Sequence, residues 1–172
     1  MTHVMLDLET LGKDPGCIIL SIGAVSFEPK GEGHKYEFSR NICPIVSEVL
    51  GFRKDPETVK WWTEQNPEAW KALETDRVDI YSAIAEFKDW FNSVNGKQIW
   101  CQGANFDEPI LRRAFTILNV EAPWKFYDVR DTRTVYDIFN FNPKTITRKG
   151  TYHCALDDAA HQVKCVQNAL HS

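Results

Sequence analysis

Residues 5–12 read MLDLETLG, an apolar run fit for a core strand, yet it carries acids at Asp7 and Glu9. Successive side chains of a strand point to opposite faces, so these two carboxylates share one face while Val4, Leu6 and Leu8 pack on the other. Their Cα atoms then stand about 6.5–7 Å apart. Two ionised carboxylates at that separation repel, and the pattern admits two resolutions. Either the strand lies at a sheet edge with both acids in water, or a divalent cation sits between them. Oxygen-only donors of this kind suit magnesium or manganese.

The rest of the chain bounds the setting. A length of 172 residues is read as one domain over 1–172, long enough to bury a sizeable core. With 43% hydrophobic and 26% charged residues, extended disorder is excluded. No apolar stretch approaches the roughly 20 residues of a membrane span, and no basic region followed by an apolar block marks a secretory signal. The five cysteines, Cys17, Cys43, Cys101, Cys154 and Cys165, are scattered and never spaced Cys-x-x-Cys. Reduced thiols in a cytoplasmic setting fit that pattern better than a zinc site or a disulfide framework. A net charge of −4 does not by itself point to nucleic acid, but carboxylates gathered at one metal site account for it.

Coarse patterning gives strands at 3–9 and 17–28, joined by LGKDPG with the Gly and Pro of a tight connection. A third strand around 34–43 completes an antiparallel meander. In DPETVKWWTEQ, Asp55 is a helix N-cap with Pro56 at the first helical position. DIYSAIAEFKDWFNSV places Ile80, Ala83, Ile84, Phe87, Trp90 and Phe91 on one helical face. Residues 97–102 read as a short buried strand and 107–118 as a helix. A last helix over 155–170 carries Leu156, Ala159, Ala160, Val163, Val166 and Leu170 in one stripe. This order predicts an α/β fold, a mixed sheet flanked by helices.

Two further stretches carry candidate chemistry. GANFDEPIL puts Asp107 at a helix entrance, where a carboxylate also serves simply as a favourable charge on the helix dipole. YHCALDDAAH sets His153 five residues before Asp158, at the start of the last helix. Each has a structural reading alone, a packed imidazole or a first-turn acid. Their order is more telling: Asp-x-Glu, then Asp, then His-x-x-x-x-Asp. With LDLETLG, NFDEPIL and HCALDDA in sequence, the chain resembles the DnaQ-like 3′–5′ exonucleases of the DEDDh group over nearly its whole length. TVKWWTEQNPEAW is further similar to phage exonucleases of the T-even exonuclease A type and to a related bacterial exoribonuclease-like branch.

The resemblance implies a ribonuclease-H-like fold with a mixed five-stranded sheet, and hydrolysis of DNA or RNA from single-stranded 3′ ends to nucleoside 5′-monophosphates. It implies two divalent cations, Mg2+ or Mn2+, on Asp7, Glu9, Asp107 and Asp158. Asp7 would be shared, Glu9 and Asp158 would serve the ion that holds the attacking water, and Asp107 the other. His153 would be the general base, since an imidazole titrates near pH 6.5. Helical neighbours diverge by roughly 100°, so Asp157 and Asp158 cannot both face one metal; the family spacing selects Asp158 and leaves Asp157 as a solvated acid. Thr10 and Leu11 would hold the terminal nucleotide, although Leu11 fits a buried turn as well. Of the adjacent Trp61 and Trp62, the phage-type run assigns Trp62 to the substrate, with both in the core as the alternative. Lys144, Arg148 and Lys149 lie in a stretch without acids that leads to His153, and either hold phosphates or face solvent; Arg148 and Lys149 are the candidates for substrate binding. Arg130 and Arg133 flank Asp131, itself a helix cap, and are further basic candidates. Many relatives are homodimers. No membrane partner is expected.

Rival classes are weaker. DLET resembles the Asp-x-Asp-x-Thr of a phosphatase only superficially, since Glu9 stands where that chemistry needs a second Asp. Neither Gly-x-Gly-x-x-Gly nor a phosphate-loop Gly-Lys-Ser/Thr occurs. The rival from another class is a catalytically silent nuclease fold that binds nucleic acid, against which all five DEDDh positions are filled.

Overall fold

Three nine-residue strands open the chain: β1 (Thr2–Thr10), β2 (Ile19–Phe27) and β3 (His34–Ile42). The computed structural model describes residues 2–150 and 153–171; positions 151 and 152 of the basic stretch lie outside them. Then follow helices α1 (Pro44–Val49), α2 (Pro56–Thr63) and α3 (Pro67–Leu73), and a two-residue strand β4 (Arg77–Val78). Helix α4 (Ile80–Ser93), strand β5 (Gly96–Cys101) and helix α5 (Asp107–Ile117) come next. Strand β6 (Val129–Asp131) and helices α6 (Thr132–Ile138) and α7 (Ala155–His171) complete the order. The predicted caps form as expected: Pro56 opens α2, and the Asp55 carboxylate accepts the Glu57 N–H at 3.1 Å.

The sheet has six strands in the order β4-β3-β2-β1-β5-β6. β1–β2 and β2–β3 are antiparallel, whereas β1–β5, β3–β4 and β5–β6 are parallel. The expected mixed α/β architecture is present, with one strand more than the expected five. Two of the six, β4 and β6, span two and three residues. Such strands are too short to show a period-2 pattern.

Strand β1 lies between β2 and β5, and although its ladder with β5 ends at Met5, Glu9 is 7% exposed and Asp7 is half-buried, so the pair does not stand in water. The first resolution of their repulsion is thereby excluded. Alternation splits β1 between two cores. Val4, Leu6 and Leu8 join Ile80, Ile84, Phe87 and Phe91 of α4 and Ile110, Leu111 and Phe115 of α5. Met5, on the face of the two acids, joins Val25 and Trp100 under Ala159, Val163 and Val166 of α7. Helix α7 reaches that face because Asp7 is paired with Gly23. A Cβ at Gly23 would lie 2.2 Å from the Ala155 carbonyl carbon, so only glycine lets the start of α7 rest on β2. Among the described residues, no helix is long and apolar enough to cross a membrane.

Candidate active site

Four carboxylates meet where β1, α5 and α7 converge. Asp7, Glu9 and Asp158 each bring one oxygen within 4.8 Å of the other two. Asp107, the first residue of α5, stands outside that trio but is tied to it, since its Oδ1 accepts the Leu8 N–H of β1 at 3.0 Å. Its charge is the strongest carboxylate influence on Asp7.

Burial and mutual repulsion hold these acids toward their neutral forms. The Glu9 carboxyl is pushed up to about 8, chiefly by burial and then by Asp158 and Asp107. Asp107 is raised to about 7, again mainly by burial. Asp7 is raised well above the carboxylate range by burial and by Asp107, Asp158 and Glu9 in turn, with a hydrogen bond from Gln162 acting the other way. Asp158 is raised by burial, and its ion pair with Arg148 opposes the shift. Arg148 pairs with one of the four acids, which leaves the cluster short of positive charge. Its donors are all carboxylate oxygens, the set that hard divalent cations take, so the residues present fit Mg2+ or Mn2+.

The two neighbouring acids of α7 part in position. Asp158 points into the trio, whereas Asp157 lies against Gly150, whose Cβ position would be 2.4 Å from its Cγ. Asp157 is half-buried there rather than solvated as expected. The two basic neighbours part as well. Arg148 pairs with Asp158, but exposed Lys149 lines a different cavity of about 270 Å³ with His34, His161 and Lys164.

Beside the carboxylates a cleft of about 660 Å³ is bordered by Glu9, Thr10, Trp61, Trp62 and Phe106. Both tryptophans line the cleft, and they differ in burial and in partners. Trp62 is 5% exposed, and its indole N–H donates to the Thr10 carbonyl at 2.9 Å, fixing the end of β1. Trp61 is 39% exposed and presents its ring at the cleft. His153 packs edge-on against Trp61 at 4.9 Å between ring centroids and near Trp62 at 6.0 Å. Its backbone is left-handed, with φ of 61°, so it turns the chain sharply just before α7. Thr10 is buried, and its hydroxyl donates to the Gly12 carbonyl at 2.6 Å. Leu11 is 5% exposed and takes the buried-turn alternative; it also borders a separate apolar cavity of about 320 Å³ with Val59 and Trp70. Arg133 is exposed, and its charge opposes the raised pKa of Asp107. Gln162, absent from the sequence-based candidates, touches the cluster directly: its Nε2 donates to Asp7 Oδ1 at 2.8 Å.

The model of the 3′-5′ exoribonuclease Rv2179c-like domain matches residues 2–170. The chain belongs to that family. It is a 3′–5′ exonuclease. An exodeoxyribonuclease of Enterobacteria phage T4 is 27% identical over 164 residues, covering 78% of this chain and 70% of the phage protein. Among solved structures, the nuclease domain of 3′hExo, a DEDDh family member bound to rAMP, superposes with a TM-score of 0.66 at 10% identity, over 99% of this chain and 92% of that one. The E. coli ExoI–ssDNA complex gives 0.69 at 14% identity, over 96% of this chain and 39% of ExoI. S. pombe Pop2p in its Mg2+- and Mn2+-bound form gives 0.61 at 13% identity, over 96% and 81%. These three likenesses establish the fold.

Proposed function

We propose that the protein removes nucleoside 5′-monophosphates one at a time from single-stranded 3′ ends of DNA or RNA. The observation that carries this reading is the convergence of Asp7, Glu9 and Asp158 oxygens within 4.8 Å, with Asp107 hydrogen-bonded to the same strand. Two divalent cations, Mg2+ or Mn2+, would be held by Asp7, Glu9, Asp107 and Asp158, with Asp7 shared. When bound, such ions stabilise charge on the attacking and leaving oxygens of a phosphodiester. His153, carried on the turn before α7, accepts the proton of the attacking water, a service that contributes about 10²–10⁴-fold. The ligands of the neighbours, rAMP for 3′hExo and ssDNA for ExoI, support a nucleic-acid chain end as the occupant of the cleft.

The remaining residues bind and orient. Trp61 offers an aromatic face for a base at the mouth of the cleft. Trp62 holds the Thr10 backbone, and through it the strand end next to Glu9. Arg148, paired with Asp158, is placed to meet a phosphate when the cluster is loaded with cations. Lys149 and the exposed Arg133 are left for phosphates further along the strand.

A time course on end-labelled single-stranded DNA and RNA of one sequence, with Mn2+ or with chelator, tests the reading. Expected is stepwise 3′ shortening that needs metal, is abolished in Asp158→Ala and persists in Asp157→Ala. Equal loss in both variants would refute the assignment on α7. No cleavage of either polymer by the wild type would replace the enzyme with a silent nucleic-acid-binding module.

A further inference from the structure

Gln162 is polar, 4% exposed, and surrounded on α7 by the buried Ala159, Val163 and Val166. An apolar residue would serve packing at that position at least as well, so the amide needs another explanation. It stands four residues after Asp158, hence on the same helical face one turn further along. Its Nε2 donates to Asp7 Oδ1 at 2.8 Å, across 155 residues of chain. Its Oε1 is buried with no hydrogen-bond partner among the described residues. Turning the amide over would set Oε1 against the Asp7 oxygen, two acceptors facing each other, so the hydrogen bond to Asp7 fixes the orientation.

We infer that Gln162 is a positioning residue, holding the Asp7 carboxylate in place for divalent-cation binding. This rests on the proposed metal site. A Lys or Arg here would fix Asp7 equally well, but its charge would compete with the cation for the same carboxylate. An apolar side chain would leave Asp7 free to rotate among three repelling acids. A neutral amide donor restrains one oxygen and leaves the negative charge available. The orphaned Oε1 adds an acceptor next to the cluster, the polarity that the water ligands of a hydrated cation satisfy. Partners that orient a metal-binding carboxylate are typically worth 10–100-fold in metal affinity.

Direct Mn2+ binding, read from the electron paramagnetic resonance signal of free Mn2+, tests this without recourse to turnover. Wild type is compared with Gln162→Met, which keeps the shape and removes the donor, and with Gln162→Asn, which withdraws the amide by one methylene. Both are expected to bind Mn2+ about 10–100-fold more weakly while melting near the wild-type temperature in chelator. Wild-type affinity in the two variants would overturn the inference; should the Met variant not fold, the Asn variant decides alone. Asp7→Asn is the reference: Mn2+ binding that this change leaves intact would overturn the metal site itself, and the role of Gln162 with it.

Discussion

Replacing Glu9 by glutamine in chelated protein isolates the electrostatic load that the carboxylate cluster places on the fold. In the folded chain the Glu9 carboxyl is raised from 4.5 to about 8, and burial is the largest cause. Between those two pH values the folded protein keeps the proton and the unfolded chain releases it. Unfolding therefore liberates a proton, and raising the pH favours the unfolded state. At about 1.4 kcal/mol per pH unit, the gap amounts to roughly 5 kcal/mol once the pH has passed 8. Glutamine has the same shape and cannot ionise. The stability of Glu9→Gln relative to wild type should thus be smallest near pH 4.5 and should improve by several kcal/mol up to pH 8. Taking the difference between two proteins removes the opposing contributions of His3 and His161, whose imidazoles burial holds below their usual value. Urea unfolding followed by tryptophan fluorescence at pH 5, 6, 7 and 8, with a chelator throughout, provides the measurement. A difference that stays constant across that range would refute the reasoning. With saturating Mn2+ the order should invert, since the cation stabilises the ionised acid that glutamine lacks.

Other perturbations separate packing from chemistry. Gly23→Ala introduces a Cβ 2.2 Å from the Ala155 backbone; overpacking of this kind costs about 1–3 kcal/mol and should lower Tm by roughly 2–12 °C. Cleavage should fall as α7 carries Asp158 away from β1, and a wild-type melting curve would show that the helix does not rest on Gly23. Trp61→Ala should raise KM for an oligonucleotide by about 5- to 150-fold, the equivalent of a stacking contact of roughly 1–3 kcal/mol, with little change in unfolding. Trp62→Phe should do the reverse, losing about 1 kcal/mol or more of stability with its buried bond to Thr10. Identical effects of the two substitutions would contradict the division between a cleft ring and a core ring.

Much of this architecture is legible in the chain because its elements are long and regular. Alternation along 3–9 separates the two acids from Val4, Leu6 and Leu8, and helical spacing finds the stripes of α4 and α7. What escapes is decided by tertiary placement. The angle between Trp61 and Trp62 follows from helix geometry, but which ring faces the sheet depends on where α2 docks. Lys149 and Arg148 are neighbours in sequence, and the loop pairs Arg148 with Asp158 while it sends Lys149 to a cavity beside His34 and Lys164. Gln162 reads as an ordinary polar residue of an amphipathic helix; nothing local says that it faces Asp7. Gly23 hides inside an apolar strand, and its need for a bare backbone emerges only when α7 is laid across it. The strand β4, at two residues, has no pattern to detect.

The same long-range ties have a kinetic consequence. The β1–β2–β3 meander closes over short loops, whereas β1 meets β5 only across some ninety residues of intervening chain. The Leu8–Asp107 hydrogen bond spans 99 residues and the Gln162–Asp7 bond spans 155. Contacts this distant pay their loop-closure entropy before they contribute, and they form late. On refolding from denaturant, far-ultraviolet signal from the meander and helices should therefore recover ahead of enzymatic activity. Competence to cut arrives as the final event, when α7 settles over Gly23 and closes the ring of acids.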